Sequence, residues 1–304
     1  MCQKKEFLYV ILPYFNFCDF KRRRELFIQF VIRMRTVQNI RVVISEVVGE
    51  NPLPKRLPVF RHFKYKTESN IWLKENLINL AVKQLPNDWS CFAWIDADVS
   101  FLNKNWVKET INNLDKYDVV QLFQTVVNLG PQNEALKIDK SFGYMHVESG
   151  TELTSTDKYG FWHPGYAWAC THHMWKRTDG LIQWAILGSA DRHMAYALIG
   201  RIIESAPGNV HPNYKKLLLE FEKKCTGLSL GYVSGTILHH WHGSIKNRRY
   251  RERWDILSTN SYDPTKDVSI DVSGILQLTT RGHRMDKDLM GYFTGRREDD
   301  QRNQ

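Results

Sequence analysis

Two aspartates one residue apart, Asp96 and Asp98, a lone aspartate at 191, and the histidines His239, His240 and His242 are the residues of this 304-residue chain best suited to chemistry. The aspartates end an apolar run of strand length, Cys91-Phe92-Ala93-Trp94-Ile95. If that run is a buried central strand, both carboxylates leave its carboxyl end, where open α/β sheets form their ligand crevices. Two hard oxygen ligands there suit a divalent cation and the phosphates attached to it. A cation held by carboxylates readily takes an imidazole nitrogen as a further ligand. A third, separate carboxylate can then act as a general base. The set fits nucleophilic substitution at a sugar anomeric carbon, in which a leaving diphosphate is neutralised and the attacking hydroxyl loses its proton. Each part also has a plain structural alternative. Asp96 and Asp98 can cap a turn, and Asp191 can be the N-cap of the helix after it. On a strand, His240 and His242 share one face while His239 points away, so His239 and His242 can hold one ion only if a turn intervenes.

The elements that must position these residues follow from periodicity. Residues 7–12 read as a buried strand, followed by the loop Pro13-Tyr14-Phe15-Asn16. Leu26, Phe27, Phe30, Val31 and Met34 recur at helical spacing within 22–37. Residues 40–47 form a β-branched strand with Glu46 near its end. After a Pro-rich loop at 51–58, residues 71–85 read as a helix with Leu73, Leu77, Leu80, Ala81 and Leu85 on one face. The alternation of strand and helix up to residue 101 predicts a mainly parallel sheet with helices on its faces. Beyond it come a helix at 105–114, a strand at 119–127 and a long mobile loop at 130–160. Then follow an aromatic, turn-rich stretch at 161–171, helices at 174–184 and 194–203, and an irregular charged stretch at 204–227. A strand at 231–242 runs into the histidines, a basic helix spans 246–257, and the tail carries one element at 270–278. The expected fold class is α/β, a Rossmann-like mixed, mainly parallel sheet. Residues 1–257 would be one catalytic domain, with a nucleotide-binding half at 1–128, an acceptor half at 129–257, and a C-terminal extension at 258–304.

Forty-two Lys and Arg against 33 Asp and Glu give a net charge of +9, which suits an anionic ligand or surface. Apolar residues at 42% and charged residues at 25% are ordinary for a globular chain. The basic residues concentrate at Lys21-Arg22-Arg23-Arg24, at 246–253 and, mixed with acids, at 281–297. Five dispersed cysteines with no C-x-x-C pair indicate neither a zinc site nor a disulfide framework. Reduced thiols predict a cytoplasmic protein. The apolar stretch 7–12 is too short for a secretory signal and is followed by Pro13, Asn16 and Asp19, not by a small-residue cleavage site. No segment has the apolar length to span a bilayer.

In this order the motifs resemble those of GT-A glycosyltransferases of the GT2 type, and most specifically the β-1,4-galactosyltransferase family. Asp96-Ala97-Asp98 resembles that family's D-x-D. Leu73-Lys74-Glu75-Asn76-Leu77-Ile78-Asn79 resembles its F-N-R-A-K-x-x-N helix, with Lys74 where an arginine near the nucleotide is usual. Gly188-Ser189-Ala190-Asp191 resembles G-G-E-D, with Ala190 replacing the glutamate. His239-x-x-His242 resembles the M-x-x-H metal site, and Lys246-Asn247 with residues 251–257 resembles K-N-x(n)-R-F-x-x-I. Tyr166-Ala167-Trp168 resembles the stretch that holds sugar and acceptor. The likeness spans residues 7–257, and residues 242–253 also resemble a segment of glycosyltransferases from large DNA viruses and phages.

The resemblance implies a metal-dependent, inverting transferase. Mn²⁺ or Mg²⁺ would be held by Asp98 and His242 with Asp96 assisting, and Asp191 would be the base. A nucleoside diphosphate sugar, most plausibly a UDP-sugar, would be the donor and a glycan hydroxyl the acceptor, with no nucleic acid as partner. Pro13, Tyr14, Asn16 and Glu46 would face the base and ribose, Lys74 the nucleotide, and Trp168, with Trp162 and Tyr166, the sugar. Core packing is the other reading of Trp168, and a plain turn role that of Asn16 and Glu46. Ala190 leaves sugar and acceptor open. Two other classes fit parts of the pattern: a nucleic-acid binder using the basic helix, and a metal-dependent nucleotidyltransferase or phosphohydrolase. The latter usually wants further carboxylates beside the pair, where this chain continues Val99-Ser100-Phe101.

Overall fold

The computed structural model describes residues 7–149 and 162–300. The amino-terminal half alternates as the periodicity predicts. β1 (Leu8–Tyr14) leads through a short loop into α1 (Lys21–Met34), whose buried residues are the five apolar positions of the helical pattern. β2 (Ile40–Val47) and the polar edge strand β3 (Arg61–Tyr65) follow. α2 (Lys74–Lys83) then leads to β4 (Cys91–Ile95), buried at every position. β5 (Val99–Phe101), α3 (Trp106–Asn113), β6 (Val119–Gln121), β7 (Thr125–Leu129), β8 (Ala135–Ser141) and α4 (Phe142–Ser149) complete the segment before residue 150. After it come β9 (Trp162–His163), β10 (Ala167–Thr171), α5 (His172–Thr178), α6 (Ala190–Leu198) and α7 (Pro212–Cys225). β11 (Leu230–Tyr232), β12 (Thr236–His239), α8 (Arg253–Thr259), β13 (Val268–Ile270), β14 (Leu276–Leu278) and α9 (Asp286–Gly295) close the described chain.

The main sheet has the order β11-β6-β10-β4-β1-β2-β3. Its pairs are parallel except where β10 runs against β4 and β6. Alternate residues of its strands feed two cores. Tyr9, Ile11, Val43, Phe92 and Trp94 face α2, α5, α6 and α7. Leu8, Val10, Leu12, Ile44, Ala93 and Ile95 face α1 and α3. Burial on both faces explains why these strands read as unbroken apolar runs. A second sheet, β5-β12-β7-β8-β9, stands at the carboxyl end of β4. Leu276, Leu278, Met285, Leu289, Tyr292 and Phe293 from the carboxyl-terminal stretch pack into the first of the two cores.

Several predicted elements are shorter or divided. The strand expected at 119–127 is two, β6 and β7, assigned to different sheets. The one expected at 231–242 is β11 and β12, broken around Gly235 (φ 117°). The helix expected at 174–184 spans His172–Thr178 and stops at Asp179, which is left-handed (φ 59°). The predicted basic helix is a 3-10 turn, Ile245–Arg248, followed by α8. Residues 130–149 of the expected loop are largely ordered as β8 and α4, and 150–161 lie outside the described residues.

Candidate active site

β4 ends at Ile95, and the backbone N–H of Asp96 donates to the Tyr166 carbonyl at 2.7 Å, which fixes the start of the turn. The chain re-enters a strand at Val99, and β5 pairs antiparallel with β12 so that His239 lies opposite Val99. β12 stops at His239, and the N–H of His240 donates to the Asp98 carbonyl at 2.8 Å. The turn this creates brings His242 back beside His239. His242 Nε2 lies 2.8 Å and His239 Nε2 3.8 Å from Asp98 Oδ2, and the two Nε2 atoms are 3.2 Å apart. His240 points elsewhere, to Ser100 Oγ at 2.7 Å. Ending the strand at His239 removes the opposition of faces that strict alternation would impose.

The partners of His239 define its tautomer. Asn128 donates from Nδ2 to Asp139 Oδ2 at 3.1 Å, so its Oδ1 is an acceptor, and it takes the Tyr166 hydroxyl at 2.8 Å. His239 Nδ1, 3.0 Å from the same oxygen, therefore carries its proton and leaves Nε2 a lone pair. Burial pushes the His239 pKa down, which keeps the ring neutral as a ligand must be. On His242, Nδ1 lies 3.4 Å from Glu298 Oε2 and 3.1 Å from Arg248 Nη2, and the same Arg248 nitrogen is 2.7 Å from Nε2. The two Nε2 atoms thus converge, with Arg248 Nη2 against that of His242, beside a carboxylate whose other oxygen, Asp98 Oδ1, is buried without a protein partner. Two nitrogens each about 2.1 Å from one ion at right angles would lie about 3 Å apart, so the spacing and the donor set both fit a cation. Among the described residues, Asp98, His239 and His242 are the group whose ligand atoms all lie within 4.8 Å of one another.

Asp96 does not join that cluster. Its Oδ1 is 2.7 Å from the ammonium of Lys74, the first residue of α2, and the same ammonium is 2.9 Å from Asp191 Oδ2. Lys74 is 4% exposed. Burial works against its charge, but Asp191 and Asp96 outweigh it and raise the pKa. Burial pushes the Asp96 carboxyl up to about 6, with Lys74 pulling the other way. Asp191 sits in the first turn of α6, entered through Gly188 (φ 84°) and Ser189 (φ 79°). Its carboxylate gains there from the unsatisfied N–H groups of the helix start. Asp191 Oδ1 is buried and has no protein partner.

These groups open onto one cavity of about 720 Å³, with Asp96, Asp98, His239, Lys74 and Asp191 in its wall. A pocket of about 110 Å³ adjoins it, walled by Pro13, Tyr14, Arg23, Trp72, His242 and Arg248. Both are lined by Arg248 and Arg296, so Lys74 and three guanidinium groups surround the acidic turn. Sequence reasoning named His239 as a candidate but put His242 ahead of it, named the basic run at 246–253 but not its direction, and missed Trp72, Arg248, Arg253 and Arg296 as site residues. Arg253, 6% exposed, donates to Ser189 Oγ and to the Tyr292 hydroxyl. With Arg248 and Arg253 turned inward, the run is not one exposed cationic face.

Other expected residues lie apart from the cavities. Asn16 closes its own turn, donating to and accepting from the Phe20 backbone at 2.9 and 3.0 Å. Glu46 is fully buried, accepting from Leu53 N–H at 2.7 Å and pairing with His62 Nε2 at 2.6 Å. Trp168 is 2% exposed, stacks on Trp94 at 6.4 Å and donates to the Pro164 carbonyl. Its side chain is core packing, not cavity wall. Trp162 and Tyr166 do line the large cavity.

Neither a protein-family model nor a curated protein sequence matches the chain. Among solved structures it is similar to the catalytic domain of Drosophila β1,4-galactosyltransferase 7 in complex with xylobiose, at 13% identity and a TM-score of 0.43, covering 91% of this chain and 96% of that one. It is also similar to residues 1–349 of S. aureus TarS, at 12% identity and a TM-score of 0.40, covering 95% and 71%. A third is glucosyl-3-phosphoglycerate synthase from Mycobacterium tuberculosis in complex with Mn²⁺, UDP and glucosyl-3-phosphoglycerate, at 12% identity and a TM-score of 0.39, covering 84% and 77%. Likeness at this level says nothing about what this chain binds, which has to come from the atoms of its own site.

Proposed function

We propose that the chain is a metal-dependent glycosyltransferase of GT-A type that moves a sugar from a nucleoside diphosphate sugar, a UDP-sugar in the first instance, to an acceptor hydroxyl with inversion. The observation that carries this reading is the convergence, at two adjoining cavities, of Asp98, the Nε2 atoms of two imidazoles 3.2 Å apart, and Lys74 bridging Asp96 to Asp191. Asp98, His239 and His242 would hold the cation, Mn²⁺ in preference to the harder Mg²⁺ because two of the three donors are nitrogens. When bound, that ion would neutralise charge on the departing diphosphate.

The chain's own residues supply the rest. Arg23, Arg248 and Arg296 surround the pocket beside Asp98 and suit phosphate oxygens. Lys74 holds Oδ2 of Asp191, which leaves Oδ1 to accept a proton from the acceptor hydroxyl. As that O–H bond breaks, the acceptor oxygen forms its bond to the anomeric carbon and the bond from that carbon to the diphosphate oxygen breaks on the opposite face. Asp191 ends protonated and the nucleoside diphosphate leaves. Trp162 and Tyr196, in the cavity wall, offer apolar faces to a sugar ring.

A thermal-shift panel of UDP- and GDP-sugars, each with and without Mn²⁺, tests the reading. A ligand at a hundred times its Kd stabilises by about 2.7 kcal/mol, several degrees in midpoint for a chain of this size. Stabilisation by a nucleotide sugar only in the presence of Mn²⁺ supports the proposal. No shift with any nucleotide sugar, or shifts indifferent to metal, contradicts it.

A further inference from the structure

The last described residues pack against the start of α1 and the histidine turn. Asp299 accepts the N–H groups of Lys21 and Arg22 at 3.2 and 2.8 Å, capping α1, whose own N-cap residue, Phe20, has no side chain that can do so. The Asp300 carbonyl accepts from Trp241 Nε1 at 2.8 Å, one residue before His242. Gly243 (φ 84°) lies directly beneath, and an added Cβ there would come within 2.7 Å of the Arg297 carbonyl oxygen. The chain is thus anchored to α1 on one side and to the histidine turn on the other. Glu298, held between these anchors, is completely buried.

Glu298 accepts from Arg23 at 2.7 and 2.6 Å and from Arg296 Nε at 2.7 Å, and its Oε2 lies 3.4 Å from His242 Nδ1. Two guanidinium groups would hold the carboxylate ionised and oriented, and burial keeps water from competing for the imidazole. We infer that Glu298 is a positioning residue for the metal site: when a cation takes Nε2 and displaces Arg248 Nη2, which lies 2.7 Å from Nε2 and 3.1 Å from Nδ1, Glu298 accepts from Nδ1 and holds the His242 ring beside Asp98. A carboxylate behind a ligand histidine sets the ring's tautomer and orientation and raises its basicity. His239 receives the equivalent service from Asn128, so each imidazole has its own acceptor, one from β7 of the second sheet and one from the carboxyl-terminal segment. The metal affinity of the folded chain therefore depends on residues 296–300, remote in sequence from every ligand.

This inference rests on Asp98, His239 and His242 being a cation site, and titrating Mn²⁺ alone into the purified full chain separates the two claims. Wild-type protein that binds no Mn²⁺ removes the site itself. If wild type binds, Glu298→Gln, which is isosteric but cannot hold both guanidinium groups and the imidazole as a carboxylate does, should weaken Mn²⁺ binding about 10- to 100-fold. Glu298→Asp keeps the charge for Arg23 and Arg296 but withdraws it by one methylene, so it is the variant expected to retain the fold if Glu298→Gln loses it, as read by circular dichroism, and it too should bind Mn²⁺ at least several-fold more weakly. Asp299→Ala removes the α1 cap and leaves Glu298, so it should lower the melting temperature with a smaller change in Mn²⁺ affinity. Wild-type affinity in a folded Glu298 variant overturns the inference and leaves the metal site standing.

Discussion

Lys74→Met probes the site without any knowledge of its substrate. The substitution keeps most of the side-chain volume and deletes the ammonium that lies 2.7 Å from Asp96 and 2.9 Å from Asp191. Those distances leave the two carboxylate oxygens at most about 5.6 Å apart, and at an effective dielectric constant near 20 their repulsion is roughly 3–4 kcal/mol. The loss of the ion pairs adds to this, while relaxation and water entering from the cavity reduce it, so a net loss of about 3 kcal/mol is expected. Protonation offers an escape. Asp96 already titrates at about 6 in the presence of Lys74, and without it the carboxyl takes up a proton more readily still. The variant should therefore be destabilised most well above pH 6, where both carboxylates are ionised, and least well below it. Urea denaturation of wild type and variant at the two extremes measures the difference. A loss equal at both, or larger at acid pH, would refute the placement of Lys74 between two ionised carboxylates.

Exchanging ligand and non-ligand histidines gives a second test: His239→Gln should weaken Mn²⁺ binding by at least tenfold, whereas His240→Gln, which loses only the Ser100 contact, should leave it within about twofold, as read by calorimetry. Equal effects would mean that the cation sits elsewhere. Asp191→Asn should leave Mn²⁺-dependent donor binding near wild type and lower transfer by about 10²- to 10⁴-fold, the usual contribution of a general base; near-normal turnover with any accepted substrate would move the base to another residue.

Much of this arrangement is legible in the sequence, for identifiable reasons. A strand buried on both faces has no polar residue until it ends, so the change from Ile95 to Asp96 marks the crevice directly. Asp191 is legible as a residue of a helix start, although α6 begins at Ala190, after Gly188 and Ser189 at positive φ, and not at 194 as the apolar spacing predicts. What escaped depends on contacts between distant segments. His239 was discounted because alternation was carried past the end of β12. Asp96 was grouped with the metal because nothing local reveals that Lys74, 22 positions earlier, reaches its carboxylate. β3, at residues to which the sequence pattern assigns no element, is an edge strand of sequence RHFKY whose exposed side lets polar residues alternate with apolar ones. Arg296 and Glu298 belong to a tail that looks like a solvated charged end, and only its docking against α1 and the histidine turn buries them.

The most direct measurement is calorimetric titration of UDP into the full chain with and without Mn²⁺, beside the same titration of Asp98→Ala. The account predicts binding by wild type that requires Mn²⁺, and neither metal nor nucleotide binding by the variant. UDP binding that ignores Mn²⁺, or a variant that retains the metal dependence, would contradict it.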